Sequence, residues 1–299
     1  MPYPRFELAH YDAVSERQVS AQRQNGGYMR LALLGGGTFA RLVLVHQQRG
    51  DLSGVKTVAL CVRSPTSQSA SLAREYSIPH VCDTAALIQA DPEVVLEAAS
   101  HDAVAAHLVP LLDAGISVVV LSAGALVDDA LRERAERAAA RSGALLHVPS
   151  GGIGGLDALK GACLAGVDQV TIQVAKPPAA WKKIAYVEAL GLELDGLSGA
   201  TSLFEGSARE GVRHFPQNVN IAAVLSLAGI GFDRTQLKVV ADPSLTCNTH
   251  TIQVSGTSGR FTIVLENVPA PDNPKTAWLA CYSALAALKE QISPARYGT

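Results

Sequence analysis

The sequence predicts an α/β protein: a doubly wound parallel sheet, followed by a second α+β unit whose sheet is mostly antiparallel. Three observations carry that reading. Short apolar runs alternate with helical segments through the first half, as parallel strands with crossover helices do. A glycine-rich turn, Gly35-Gly36-Gly37-Thr38-Phe39-Ala40, directly follows the first of those runs. In the second half, strand-like segments succeed one another with short connections, which favours antiparallel pairing.

Taken in order, residues 1–28 are polar, with Arg17, Gln18, Gln22, Arg23 and Gln24, and end in Gly26-Gly27. They read as a flexible extension, with Met29 a candidate natural start. Residues 30–34 predict a buried strand and 38–48 a helix. The β-branched run 55–62 predicts a second strand, closed by Arg63-Ser64-Pro65. Segments 71–76 and 83–89 read as helical, and 91–99 as a turn and strand. The helix predicted over 101–114 has Ala105, Leu108 and Leu112 at helical spacing. A strand (116–121), an amphipathic helix (128–142) and a strand (144–148) complete a dinucleotide-binding unit over 29–151. In the second unit (152–273, substrate binding and dimerisation), 167–175 alternates as a half-buried strand. A helix is expected over 215–229 and strands over 237–241, 250–255 and 260–266. Asn273 as N-cap and Pro274 at the first helical position predict a last helix over 276–291. The segment 274–299 is expected to return to the first unit.

Composition narrows the function. At 299 residues the chain should hold one or two domains. Its 25 basic and 27 acidic side chains give a net charge of −2, no footprint for nucleic acid. No apolar stretch approaches the ~18 residues of a membrane span, and the first residues do not read as a secretory signal. Cys61, Cys82, Cys163, Cys247 and Cys281 are scattered without a C-x-x-C pair, so neither a metal site nor a disulfide framework is expected. A reduced, cytoplasmic enzyme is the default expectation.

The turn at 35–40 fits G-x-G-x-x-A between a strand and a helix. Gly35 permits the tight turn, and Gly37 lets a pyrophosphate approach the backbone. Ala40 allows close helix–strand packing, while Thr38 and Phe39 open the helix whose N-terminus faces the anion. An NAD-selective site usually has Asp or Glu at the end of the second strand; here stand Arg63 and Ser64. Arg63 either suits a 2′-phosphate or is merely solvated, so NAD and NADP both stay open as cofactors. Two small-residue turns, at Ala98-Ala99 and Ser122-Ala123-Gly124, fall at strand ends where a ribose or nicotinamide could lie against backbone.

The run from Pro149 through Gly151-Gly152-Ile153-Gly154-Gly155 to Leu159 resembles the L-aspartate dehydrogenase family. The likeness continues through Leu203–Gly206, Phe215–Ala223, Leu225–Gly231, Ala241-Asp242-Pro243, Asn248-Thr249-His250, Glu266–Pro269 and Asn273–Thr276. It implies a Rossmann-type unit plus an α/β unit, a homodimer, and oxidation of L-aspartate to iminoaspartate with NAD or NADP. Iminoaspartate then hydrolyses to oxaloacetate and ammonia or feeds quinolinate and NAD synthesis. By resemblance His250 is the active-site histidine, Asn220 contacts the cofactor, and Gly152 stands where the family has a cofactor-contacting alanine. Ala40, and Ala277 where the family usually has Ser, are further departures.

Strand alternation puts His250 on the inward face with Ile252 and Val254, which on its own reads as a core histidine. With the resemblance it becomes the candidate general acid/base, titrating near ~6.5 and holding a substrate carboxylate when protonated. Asn218 and Asn220, read as helical, stand about 200° apart, so one reaches the cofactor and the other caps the helix. A dicarboxylate needs cationic or N–H partners; Lys176, Lys275 and Asn248 are the candidates. Other two-domain dehydrogenases (dihydrodipicolinate reductase or homoserine dehydrogenase relatives) and a non-catalytic dinucleotide-binding protein remain as alternatives.

Overall fold

The structure, a computed structural model, describes residues 27–216, 218–270 and 273–298. The expected extension thus lies outside the described residues except for Gly27 and Tyr28. The first half alternates β1 (Met29–Leu34), α1 (Thr38–Gln48), β2 (Val55–Cys61), α2 (Gln68–Glu75), β3 (His80–Val81), α3 (Thr84–Gln89) and β4 (Val94–Glu97). It continues through α4 (His101–Asp113), β5 (Ser117–Val120), α5 (Asp129–Ser142) and β6 (Leu146–His147). The six strands pair in parallel in the order β3-β2-β1-β4-β5-β6. Sequence reading missed β3, whose two residues are too few to show a period. Both faces are covered, which is why the strands read as unbroken apolar runs. In β1, Leu31 and Leu33 join one apolar cluster while Ala32 and Leu34 join the other. Asp83, Ser100 and Asp128 cap α3, α4 and α5 by accepting backbone N–H bonds.

The second half holds α6 (Leu156–Ala165), β7 (Val167–Lys176), α7 (Ala185–Ala189), β8 (Thr201–Ser207), α8 (Ala208–His214), α9 (Asn220–Ala228), β9 (Thr235–Ala241), β10 (Asn248–Gly256) and β11 (Gly259–Asn267). Its sheet runs β11-β10-β7-β9-β8, antiparallel except for the β7–β9 pair. Val170, Ile172 and Val174 of β7 and Ile252 and Val254 of β10 line the buried face.

Two expectations are corrected. The helix predicted over 215–229 starts only at Asn220 as α9, and α8, which ends at His214, precedes the predicted span. Pro216 lies between them, has no N–H to donate, and disfavours helical geometry at Phe215, which sits at φ −127°, ψ 54°. Asn273 and Pro274 do not open the last helix either. They belong to β13 (Asn273–Ala277), which pairs with β12 (Pro269–Ala270), so α10 begins only at Trp278 and runs to Ile292. Through Ala284, Leu285, Ala287 and Leu288 that helix joins the apolar cluster of β1 and α1.

Candidate active site

The carboxyl ends of β1 and β4 open on a cavity of about 680 Å³, at the point where strand order reverses and ligands sit in such sheets. Gly35 adopts φ +102°, and a Cβ there would fall 2.8 Å from the Ala98 carbonyl oxygen, so the turn requires glycine. Gly37 precedes α1 with no side chain capping that helix and no acid in its first turn. A Cβ on Gly37 would meet nothing within 4 Å. Gly37, Thr38 and Phe39 line the cavity. An uncapped helix N-terminus against open space is what a pyrophosphate needs.

Beneath the cavity floor lies Glu97, 1% exposed at the end of β4. Its Oε1 accepts from the N–H groups of Ala99 (2.8 Å) and Ser100 (3.1 Å) and from Ser122 Oγ (2.9 Å), and its Oε2 from Ser122 N–H (3.0 Å). Burial pushes its carboxyl pKa up while these donors oppose that rise. One carboxylate thereby holds together the two turns whose Ala98, Ala99 and Ser122 line the cavity.

The opposite wall comes from the second sheet. Antiparallel register sets Thr249 against Ala175 and Asn248 against Asn267, bringing Lys176, Asn248, His250 and Asn267 to one end. All four are buried at 3–4% exposure. Lys176 Nζ donates to the Asn218 carbonyl oxygen at 3.3 Å and lies 5.0 Å from the Trp181 ring centre. Burial lowers its pKa to about 8. His250 Nδ1 sits 3.1 Å from both the Gly152 carbonyl oxygen and Asn267 Nδ2. The carbonyl accepts from Nδ1–H in one tautomer and the amide donates to bare Nδ1 in the other, so either neutral form is served. His250 Nε2 is buried without any partner, and the residue lines the cavity. Burial, reinforced by the charge of Lys176, takes the imidazole down to about 4. Burial thus sets the imidazole below the ~6.5 expected from the sequence and favours its neutral form at pH 7.

The walls meet at Asn220. Its Oδ1 accepts from Gly124 N–H at 3.0 Å and lies 3.0 Å from His101 Nε2.

Of the residues singled out in the sequence, Gly37, Thr38, Phe39, Ala98, Ala99, Ser122, Gly152, Lys176, Asn220, Asn248 and His250 line this one cavity. Gly35, Ala40, Ala123 and Gly124 are not among its lining residues; Ala40, Ala123 and Gly124 are buried. Arg63 and Ser64 are not brought to it: Arg63 is exposed, and Ser64 Oγ engages Thr66. The Lys275 side chain lies outside what is described. Asn218 also lines the cavity and does not cap α9, whose N-cap is Val219. The 200° argument fails because Asn218 precedes the helix. His101, Glu97 and Asn267 were missed. Polar side chains at the ends of otherwise apolar strands were the available signal for Glu97 and Asn267. Gly152 and Ala277, two of the departures from the family pattern, face each other: a Cβ on Gly152 would lie 3.2 Å from that of Ala277.

Comparison with known proteins divides the chain in the same way. Residues 35–149 match the family described as homoserine dehydrogenase, NAD binding domain, and residues 157–291 that described as aspartate dehydrogenase, C-terminal. The L-aspartate dehydrogenase of Methanosarcina barkeri is 45% identical over 207 residues, covering 69% of this chain and 76% of that protein. That of Methanocella arvoryzae is 36% identical over 270 residues, 90% of this chain and 99% of its own. The crystal structure of aspartate dehydrogenase from Thermotoga maritima superposes with a TM-score of 0.70 at 27% identity, covering 91% of this chain and all of that one.

Proposed function

The chain belongs to the L-aspartate dehydrogenase family, and from that premise we propose that it oxidises L-aspartate to iminoaspartate with NAD or NADP. One observation carries the reading: His250, whose buried Nε2 has no partner, lines the same cavity as the uncapped N-terminus of α1. A dinucleotide held at the α1 N-terminus would share that cavity with the imidazole.

When bound, the nicotinamide supplies the hydride acceptor. The α1 N-terminus with Gly37 and Thr38 would hold the pyrophosphate, and the turns at Ala98-Ala99 and Ser122 would line the ribose and ring. Asn220 has its Oδ1 engaged by protein, so its Nδ2 is the group that donates toward the cofactor. Lys176 and Asn248 hold a substrate carboxylate, and such an anion would raise the Lys176 pKa from the value of about 8 that burial sets. After hydride leaves Cα, neutral His250 accepts a proton at Nε2 from the water attacking the imine carbon. Protonated His250 returns that proton to the carbinolamine nitrogen. The C–N bond breaks as the hydroxyl gives up its proton to form the C=O, releasing oxaloacetate and ammonia with the base regenerated. The Gly152 carbonyl, accepting from Nδ1–H, steadies the imidazolium while it lasts. Such general base work supplies ~10²–10⁴-fold.

The finer assignments rest on the family resemblance: a homodimer in the cytoplasm, feeding pyridine nucleotide synthesis when the imine is captured before hydrolysis. Arg63, at a strand end without a carboxylate, supports use of both nucleotides; Arg63→Ala should lower the preference for NADP, and an unchanged ratio of KM values removes that role. The primary test measures reduced cofactor formed from L-aspartate against other amino acids at alkaline pH. Turnover with L-aspartate is expected, and its absence, with cofactor bound, overturns the reading.

A further inference from the structure

We propose that His101 is a positioning residue that fixes the carboxamide of Asn220 for the cofactor, through a junction that Gly124 alone leaves room for. The inference rests on the cofactor reading above and extends it to a residue the sequence did not single out.

Three parts of the chain meet here. His101 opens α4 and Gly124 lies in the turn after β5, both in the first half; Asn220 opens α9 in the second. Gly124 N–H can only donate, so the Asn220 atom 3.0 Å from it is the carbonyl oxygen. His101 Nε2, 3.0 Å from the same oxygen, must then carry a proton and donate as well. Two donors on one oxygen set the amide plane and turn Nδ2 away from both. His101 and Asn220 both line the cavity. The space is made for this contact: a Cβ on Gly124 would fall 2.6 Å from the His101 ring and 2.8 Å from Asn220 Oδ1. Gly124 is not at positive φ, so the glycine is there for room rather than for backbone freedom.

The experiment compares binding of NADH with that of ADP-ribose, which keeps the adenine, pyrophosphate and second ribose but lacks the nicotinamide. Asn220→Ala should weaken NADH and leave ADP-ribose unchanged. His101→Ala and His101→Phe should weaken NADH about three- to tenfold, again sparing ADP-ribose, while His101→Gln, which keeps an N–H donor, should recover most of the loss. Gly124→Ala should act in the same direction by displacing both partners. His101→Ala added to Asn220→Ala should cost little more than Asn220→Ala alone. Should the alanine variant not fold, the phenylalanine and Gly124→Ala variants carry the test. If Asn220→Ala weakens NADH and the His101 and Gly124 variants do not, or if they weaken both ligands alike, His101 has no positioning role. If Asn220→Ala leaves NADH untouched, the cofactor reading fails and takes this inference with it.

Discussion

His250 and Lys176 are bases held below their ordinary pKa by burial, and each makes a prediction with a definite sign. For His250, the unfolded chain binds a proton below about 6.5 while the folded site resists until about 4. The unfolded state therefore holds more protons across that window, and stability should fall as pH drops from 6.5 toward 4, by on the order of 3 kcal/mol. In His250→Ala that part of the acid sensitivity should be missing from urea titrations at stepped pH, and kcat should drop ~10²–10⁴-fold with cofactor affinity kept. A kcat within a few-fold of wild type would remove the base. For Lys176 the window is pH 8 to 10.5, and stability should rise across it as the folded site sheds its proton first. Among the described residues no carboxylate pairs with Lys176, so its buried charge costs stability, which fits the proposed role in holding a substrate carboxylate. Lys176→Met should raise the aspartate KM at least tenfold, leave the melting temperature level or higher, and flatten the alkaline slope. A lower melting temperature with unchanged KM would make it a structural lysine.

At the scale of elements, apolar runs and periodicity made most strands and helices of the first half legible, because each buries a stripe against a covered sheet, whereas β3, β8, α6, α7 and α8 were not read from the sequence. Failures came where a nonlocal partner competed with a local signal. Asn273-Pro274 has the chemistry of a helix start, yet pairing with Pro269–Ala270 takes those residues into a hairpin. The 215–229 run is apolar enough for one long helix, yet Pro216 keeps its first residues out and α9 starts only at Asn220. The Asn248–His250 segment was legible as part of a strand, but its meeting with Lys176 and Asn267 depends on sheet register, which no single segment encodes. Glu97 was legible only as part of a turn, because the four donors that make it a staple come from two turns. Glu97→Gln puts an amide NH₂ where only donors converge, so one or more pairs must break. A loss of about 1–3 kcal/mol is expected, about 2–10 °C in melting temperature, together with weaker cofactor binding because both turns line the cavity. If the glutamine variant melts like wild type, the staple is not holding them.

At the scale of the molecule, the cofactor side and the proposed acid–base side are built from different sheets, so the proposed catalysis depends on how firmly the halves are tied. They are tied by the connection through Pro149–Gly155, by Asn220 reaching Gly124 and His101, and by α10, which follows the second sheet yet buries Leu285 and Leu288 against the first. Ala277 and Ala280, at the start of α10, also line the cavity, so that helix joins the packing of the first sheet to the shape of the site. Leu288 is fully buried, and Leu288→Ala should cost about 2–5 kcal/mol, roughly 5–15 °C in melting temperature. Because the helix belongs to a core shared by both ends of the chain, calorimetry should still show one cooperative transition, moved down as a whole. NADH, bound by the first half, should restore part of the lost temperature, since a ligand that binds only the folded state stabilises it by mass action. Two separated transitions, with only the earlier one responding to NADH, would mean that the halves melt independently and that α10 does not couple them.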